Sequence, residues 1–183
     1  MPNLTVIRPA DANETVEAWK EAILQKDGPT LLSLTRQAVP TLDRKVYTSA
    51  EGLHKGAYVL ADLGKGTPEL ILMASGSEVS LIVSAGEKLV EMGHSIRLVS
   101  FPSWELFEKA GKEYQKEVLP LTIKKRIAVE MASPFGWERW TGDEGEIIGI
   151  DRYGASAPLK AILQGFGFTT EAVVEKALRM LEK

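Results

Sequence analysis

The chain has 183 residues, 44% of them hydrophobic, a net charge of −3 and no cysteine. That length and apolar content suit one domain, or one and a half, with a sizeable core. The small net charge offers no basic footprint for nucleic acid, the missing cysteines exclude disulfides, thiolate metal sites and cysteine nucleophiles, and no apolar run is long enough to span a bilayer.

The opening residues, "MPNLTVIRPADANE", lack the basic-then-apolar order of a signal peptide, so a cytoplasmic location is expected. "NLTVIRP" (Asn3 to Pro9) predicts a strand. In "DANETVEAWKEAILQ", Asp11 is a candidate N-cap with Glu14 three residues on, the spacing of a capping box, and Val16, Trp19, Ala22 and Ile23 repeat at helical spacing. "DGP" (Asp27 to Pro29) breaks this helix, and "TLLSLT" predicts a second, buried strand. The three elements form a βαβ unit with parallel strands. A parallel pair with one covering helix leaves a sheet face bare, whereas parallel sheets are normally covered on both faces. These residues therefore read as the end of a larger domain, or as a unit completed by a partner.

From Val39 to Gly56 no period is sustained, and the stretch reads as a linker crossing a surface, with His54 an exposed loop residue. A complete alternation of strands and helices follows. "GAYVLADL" predicts an edge strand and "ELILMAS" a buried one. "SEVSLIVSAGEKLVEMG" predicts a helix with Ser77 as N-cap and Gly93 as its stop. "SIRLVSF" is a strand, and "SWELFEKAGKEYQKEVL" one or two short helices broken near Gly111. "KRIAVEM" and "EIIGI" are strands. "APLKAILQGFG" is a short helix with Ser156 as cap and Pro158 in its first turn, and "TTEAVVEKALRMLEK" an amphipathic helix. The fold class expected is α/β: a three-layer domain with a mostly parallel mixed sheet over about residues 52–183, preceded by the incomplete βαβ remnant.

Several residues are candidates for chemistry. Arg36 and Gln37 arrive just where an apolar strand ends, as either a solvated loop or a phosphate or carboxylate clamp at the mouth of a sheet. The turn Ser75-Gly76-Ser77 joins a strand to a helix N-terminus and so could bind an anion, although capping alone is the favoured reading. Trp104 and Phe107 read as core packing. Trp137 and Trp140, three apart, suit either core or interface, and an exposed patch there would favour self-association. Asp151 and Arg152 follow a strand, where α/β folds bind ligands, or simply pair with each other or with neighbours. His54 and His94 lie far apart and give no histidine metal site or triad. No nucleophile with a base is present.

The stretches "IRPADANE", "LSLTRQ", "ASGSEVSL", "FPSWELFE" and "YGASAP", in this order along nearly the whole chain, resemble the C-terminal part of transketolases. Those enzymes usually carry Ser before the Arg-Gln pair; Thr35 here keeps the hydroxyl. The resemblance implies that residues 1–40 end a pyrimidine-binding domain, that 41–51 are a linker and that 52–183 are the C-terminal domain. It implies a transferase that moves a two-carbon ketol group between sugar phosphates in the pentose phosphate pathway, with thiamin diphosphate and a divalent metal, Mg or Ca, in the full-length enzyme. The family's G-D-G…N metal motif, its acidic residue that activates the aminopyrimidine and its substrate histidines have no counterpart here. No catalytic, cofactor-binding or metal-binding residue is therefore expected in this chain, which alone should be inactive and bind no cofactor. Arg36 alone is carried over, as a residue binding the substrate's phosphate. Expected partners are the rest of the chain or a separate subunit, and a second copy in a homodimer, with no nucleic acid and no membrane. Two alternatives are a natural split-enzyme subunit and a freestanding α/β module that binds an anion at Gly76.

Overall fold

The computed structural model describes residues 2–182. Met1 and Lys183, at the outer ends of the two expected domains, lie outside the described residues. The chain runs β1 (Thr5–Ile7), α1 (Ala12–Leu24), β2 (Thr30–Leu32), a 3-10 helix (Ala50–Lys55), β3 (Tyr58–Leu63), β4 (Leu70–Ala74), α2 (Glu78–Glu91), β5 (Ile96–Ser100), α3 (Trp104–Lys109), α4 (Lys112–Val118), β6 (Arg126–Val129), α5 (Glu138–Thr141), β7 (Glu146–Ile148), α6 (Leu159–Phe166) and α7 (Thr170–Leu181). None of these helices is long and apolar enough to cross a membrane.

Strands β1 and β2 form a separate parallel pair. The main sheet has the order β3-β5-β4-β6-β7, parallel except for the antiparallel edge strand β3. Central β4, "LILMA", is apolar throughout and buried throughout, as a strand covered on both faces must be. Its side chains alternate between two cores. Leu70, Leu72 and Ala74 pack with Ile82 of α2 and Val173 of α7. Ile71 and Met73 face the other way, toward Phe101, Phe107, Trp137 and Trp140. There Phe101 meets Phe107 edge-on at 4.8 Å between ring centroids, and Trp104 meets Trp137 at 5.2 Å.

Gly56 ends the 3-10 helix at φ +80°, and a Cβ there would stand 2.1 Å from the Phe107 nitrogen, so glycine alone lets the chain pass so close to α3.

Several expectations need correction. Trp137 and Trp140 are 1% and 6% exposed, so they form core and no exposed patch. Ser77 stands at the N-cap of α2 as expected but has helical geometry and makes no capping hydrogen bond, and Pro158, not Ser156, stands at the cap of α6. Asp11 does cap α1, accepting from the Glu14 N–H at 2.8 Å, but Glu14 reaches back to the Ala10 N–H. Strand β2 is short, and Leu31 and Leu34 are about half exposed rather than buried.

The largest departure concerns α1. Its apolar stripe faces outward: Val16, Trp19 and Ile23 are 54%, 53% and 75% exposed. What α1 buries is Glu14, Glu17 and Ala18. Ala18 packs with Ile7, Leu53 and Leu106, so α1 is wedged between the β1–β2 pair and the rest of the chain. The bare apolar face read from the βαβ unit is present, on the helix as well as on β2.

Candidate functional site

The ends of β1, β4 and β6 meet in a buried ionic cluster. Backbone hydrogen bonds bring the strand ends together: the Arg8 N–H donates to the Pro102 carbonyl and the Gly76 N–H to the Arg8 carbonyl. The Arg8 guanidinium then donates to Ser75 Oγ at 3.0 Å, approaches Glu78 Oε2 at 3.2 Å and pairs with Glu130. Ser75 in turn donates to Glu130 Oε2 at 3.0 Å. Gly76, at φ +56°, gives this guanidinium room, since a Cβ would lie 3.1 Å from Arg8 Nη2.

Glu78 and Glu130 are 1% and 6% exposed. Burial pushes the Glu78 pKa up, opposed by the Arg8 charge and by backbone N–H groups, including its own at the α2 N-terminus. The turn proposed as an anion site is thus filled by the chain's own carboxylate, and a second carboxylate faces it. These charges repel an incoming anion, which removes the physical basis for an anion-binding module at Gly76.

Arg36 lies in the bend after β2 and is exposed. The Thr35 hydroxyl accepts from the Gln37 N–H at 3.2 Å, a local turn that fixes the backbone around Arg36. Among the described residues the Arg36 guanidinium has no hydrogen-bond or ion-pair partner. Beside it runs a groove of about 560 Å³, lined by Thr35 and Gln37 but not by Arg36, with Ser77, Leu81, Met131 and Leu163 among its walls. The groove is largely apolar and unlike a phosphate site.

A second polar network joins α1 to the sheet. Buried Glu14 accepts from the Tyr58 hydroxyl at 2.7 Å, the Ser100 hydroxyl at 2.5 Å and the Ala10 N–H at 2.7 Å. Burial raises its pKa, and these donors oppose the rise. Asp11 holds Arg44 through two hydrogen bonds of 3.0 Å. His54 is not an exposed loop residue. It sits in the 3-10 helix between Glu17 and Glu21 of α1. His94 stands 3.4 Å from Glu69. Asp151 is exposed and does not pair with Arg152, which donates to the Gly165 carbonyl and lies over the Phe166 ring at 4.2 Å.

A diphosphate-bearing cofactor with its metal does not fit this residue set. Among the described residues no three or more His, Cys, Asp or Glu stand where they could hold a metal ion. The strand-to-helix turn that could have cradled phosphate is occupied as described. Sequence reasoning missed Glu14, Glu78 and Glu130 as site formers. A local signal exists only for Glu130, which stands inside the apolar segment "IAVEM"; Glu14 and Glu78 lie among polar residues.

Comparison with known proteins follows the same order along the chain. Residues 1–41 match the model "Transketolase, pyrimidine binding domain", and residues 56–169 match "Transketolase-like TK C-terminal domain". A transketolase of Geobacillus stearothermophilus is 50% identical over 183 residues, all of this chain and 27% of that protein. The transketolase of Leishmania mexicana superposes with a TM-score of 0.90 at 37% identity, covering 100% of this chain and 26% of that one. The Pichia stipitis transketolase in complex with sedoheptulose-7-phosphate superposes at 0.89 with 38% identity, over 99% of this chain and 25% of that one. The chain spans about a quarter of the length of these relatives. With a C-terminal-domain match over residues 56–169 and a superposition over its whole length at a TM-score of 0.90, it belongs to the transketolase family.

Proposed function

We propose that this chain forms the C-terminal part of a transketolase, in which the whole enzyme transfers a two-carbon ketol group between sugar phosphates. The observation that carries this reading is the correspondence to a transketolase, 50% identical, along the entire chain. Residues 1–40 then end the pyrimidine-binding domain, 41–51 link, and 52–183 form the C-terminal domain. The exposed face of Val16, Trp19 and Ile23 is the surface on which the remainder of the pyrimidine-binding domain packs. The thiamin diphosphate and divalent metal of the family belong to that remainder, since the residues here do not fit them. We further propose a cytoplasmic homodimer.

In this enzyme Arg36 binds the substrate's phosphate. Its guanidinium is exposed and without a partner among the described residues, so its donors are available. The planar fork suits a phosphate through paired hydrogen bonds. That the Pichia stipitis relative holds a phosphorylated sugar agrees with this. The test is steady-state kinetics of Arg36→Ala in the full-length enzyme. Loss of a charge-assisted hydrogen bond costs about 1.5–3 kcal/mol, or roughly ten- to hundredfold. It should fall on KM for sugar phosphates if the phosphate is held equally in ground and transition states. Arg36→Lys should recover part, and short unphosphorylated aldehydes should be affected far less. Equal losses on both substrate types would mean that Arg36 supports the fold instead.

A further inference from the structure

One titratable side chain outside the strand-end cluster joins two parts of the fold. The His54 ring has Nδ1 2.7 Å from Glu21 Oε2 and Nε2 2.9 Å from Glu17 Oε2. A neutral imidazole has one N–H donor and one acceptor nitrogen, while an ionised carboxylate only accepts. Lys20 donates to the other Glu17 oxygen at 2.7 Å, which favours an ionised Glu17. Both contacts can then be hydrogen bonds only if both ring nitrogens carry protons.

Other charges near the 3-10 helix are engaged elsewhere or exposed. Lys55 lies over the Tyr114 ring at 4.2 Å, and Glu51 is exposed. From α3, Leu106 packs against Leu53, Glu105 accepts from the Val6 N–H, Glu108 pairs with Arg139, and Lys109 is exposed. From β3 comes Tyr58, whose hydroxyl is committed to Glu14. The ring therefore answers to the two α1 carboxylates.

We propose that His54 is a protonation-dependent clasp that holds α1, and with it the β1–α1–β2 unit, against the rest of the chain. The cationic ring closes it, and the neutral ring releases one carboxylate. Burial of the ring opposes its charge, but hydrogen bonds to Glu21 and Glu17 outweigh burial and raise its pKa above 6.5. With a raised folded-state pKa, the stabilisation is fully present below the unfolded value and is lost as pH rises through the folded one. Glu17 limits the acid side. Lys20 first, then His54, lower its pKa, so its contribution is lost as pH falls through that lowered value. The clasp works between these two limits and does not depend on the catalytic reading.

The test is a nuclear magnetic resonance titration of the two histidine rings in this chain, with His94→Gln to assign them. The expected result is a His54 ring protonated on both nitrogens at neutral pH, titrating above the unfolded value, and moved down by Glu21→Gln. Hydrogen exchange of α1 amides, corrected for intrinsic base catalysis, supplies a second readout. From pH 6 to pH 9, opening of α1 should rise about fivefold, as loss of roughly 1 kcal/mol allows. The rise should be absent in His54→Gln. A neutral ring at pH 7, a titration unmoved by Glu21→Gln, or the same exchange profile in wild type and His54→Gln would each overturn the proposal.

Discussion

Among the described residues Arg8 is the cation paired with two buried carboxylates, Glu78 and Glu130, with the neutral Ser75 hydroxyl beside them. Removing such a partner leaves uncompensated buried charge, at a cost of about 3–5 kcal/mol. Arg8→Met should therefore lose stability on that scale at neutral pH and recover part of it on acidification, as Glu78 takes up a proton. Burial already raises the Glu78 pKa, and with the opposing Arg8 charge removed it rises further, so stability falls as pH rises. Urea midpoints at several pH values provide the measurement. Arg8→Met with Glu130→Gln should be milder than Arg8→Met alone. A small, pH-independent loss would show that water, not Arg8, solvates these groups. Such a cluster was not legible in the sequence. Arg8 and Glu78 are 70 residues apart, and no local spacing joins them. Arg36, by contrast, was legible as an exposed cation after an apolar strand, because its setting is local.

Helix α1 and strand β4 show why elements were read unequally well. Continuous apolar "LILMA" has one physical outcome, a strand covered on both faces, and β4 takes it. For α1 the helix and its Asp11 cap were equally clear, but periodicity identifies an apolar stripe without naming what covers it. In this chain the stripe is open to solvent and the polar face is held by Tyr58, Ser100 and His54. The 3-10 helix escaped notice because its packing depends on Leu53 and a glycine rather than on any repeat. The open stripe makes a direct prediction. Trp19→Glu with Ile23→Lys should change stability by no more than about 0.5 kcal/mol per site while reducing self-association of this chain. Sedimentation velocity and thermal melts would check both parts. A large loss of stability would mean the stripe is covered within the chain.

At the scale of the whole molecule, two unequal pieces share a seam of polar contacts around a small apolar cluster. The five-stranded sheet carries both large cores, whereas the β1–β2 pair rests on a small cluster with Ile7 at its centre. Local opening should follow this inequality. Amides of Leu70–Ala74 should exchange only through global unfolding, and those of Thr5–Ile7 at least about tenfold faster, a difference of 1.4 kcal/mol. Equal protection in a demonstrated monomer would contradict this, and mass-spectrometric hydrogen exchange resolves the two segments. The same seam also sets a delay during synthesis. The Val6 N–H donates to Glu105, a residue 99 positions later, and Glu14 receives the hydroxyl of Ser100, 86 positions on. A ribosome adding 5–20 residues per second takes roughly 5–20 s to make that stretch. For that interval the Val6 N–H lacks its carboxylate acceptor and Glu14 lacks one of the hydroxyls that satisfy it, so β1 and α1 stay unlatched until the segment carrying Ser100 and Glu105 is made.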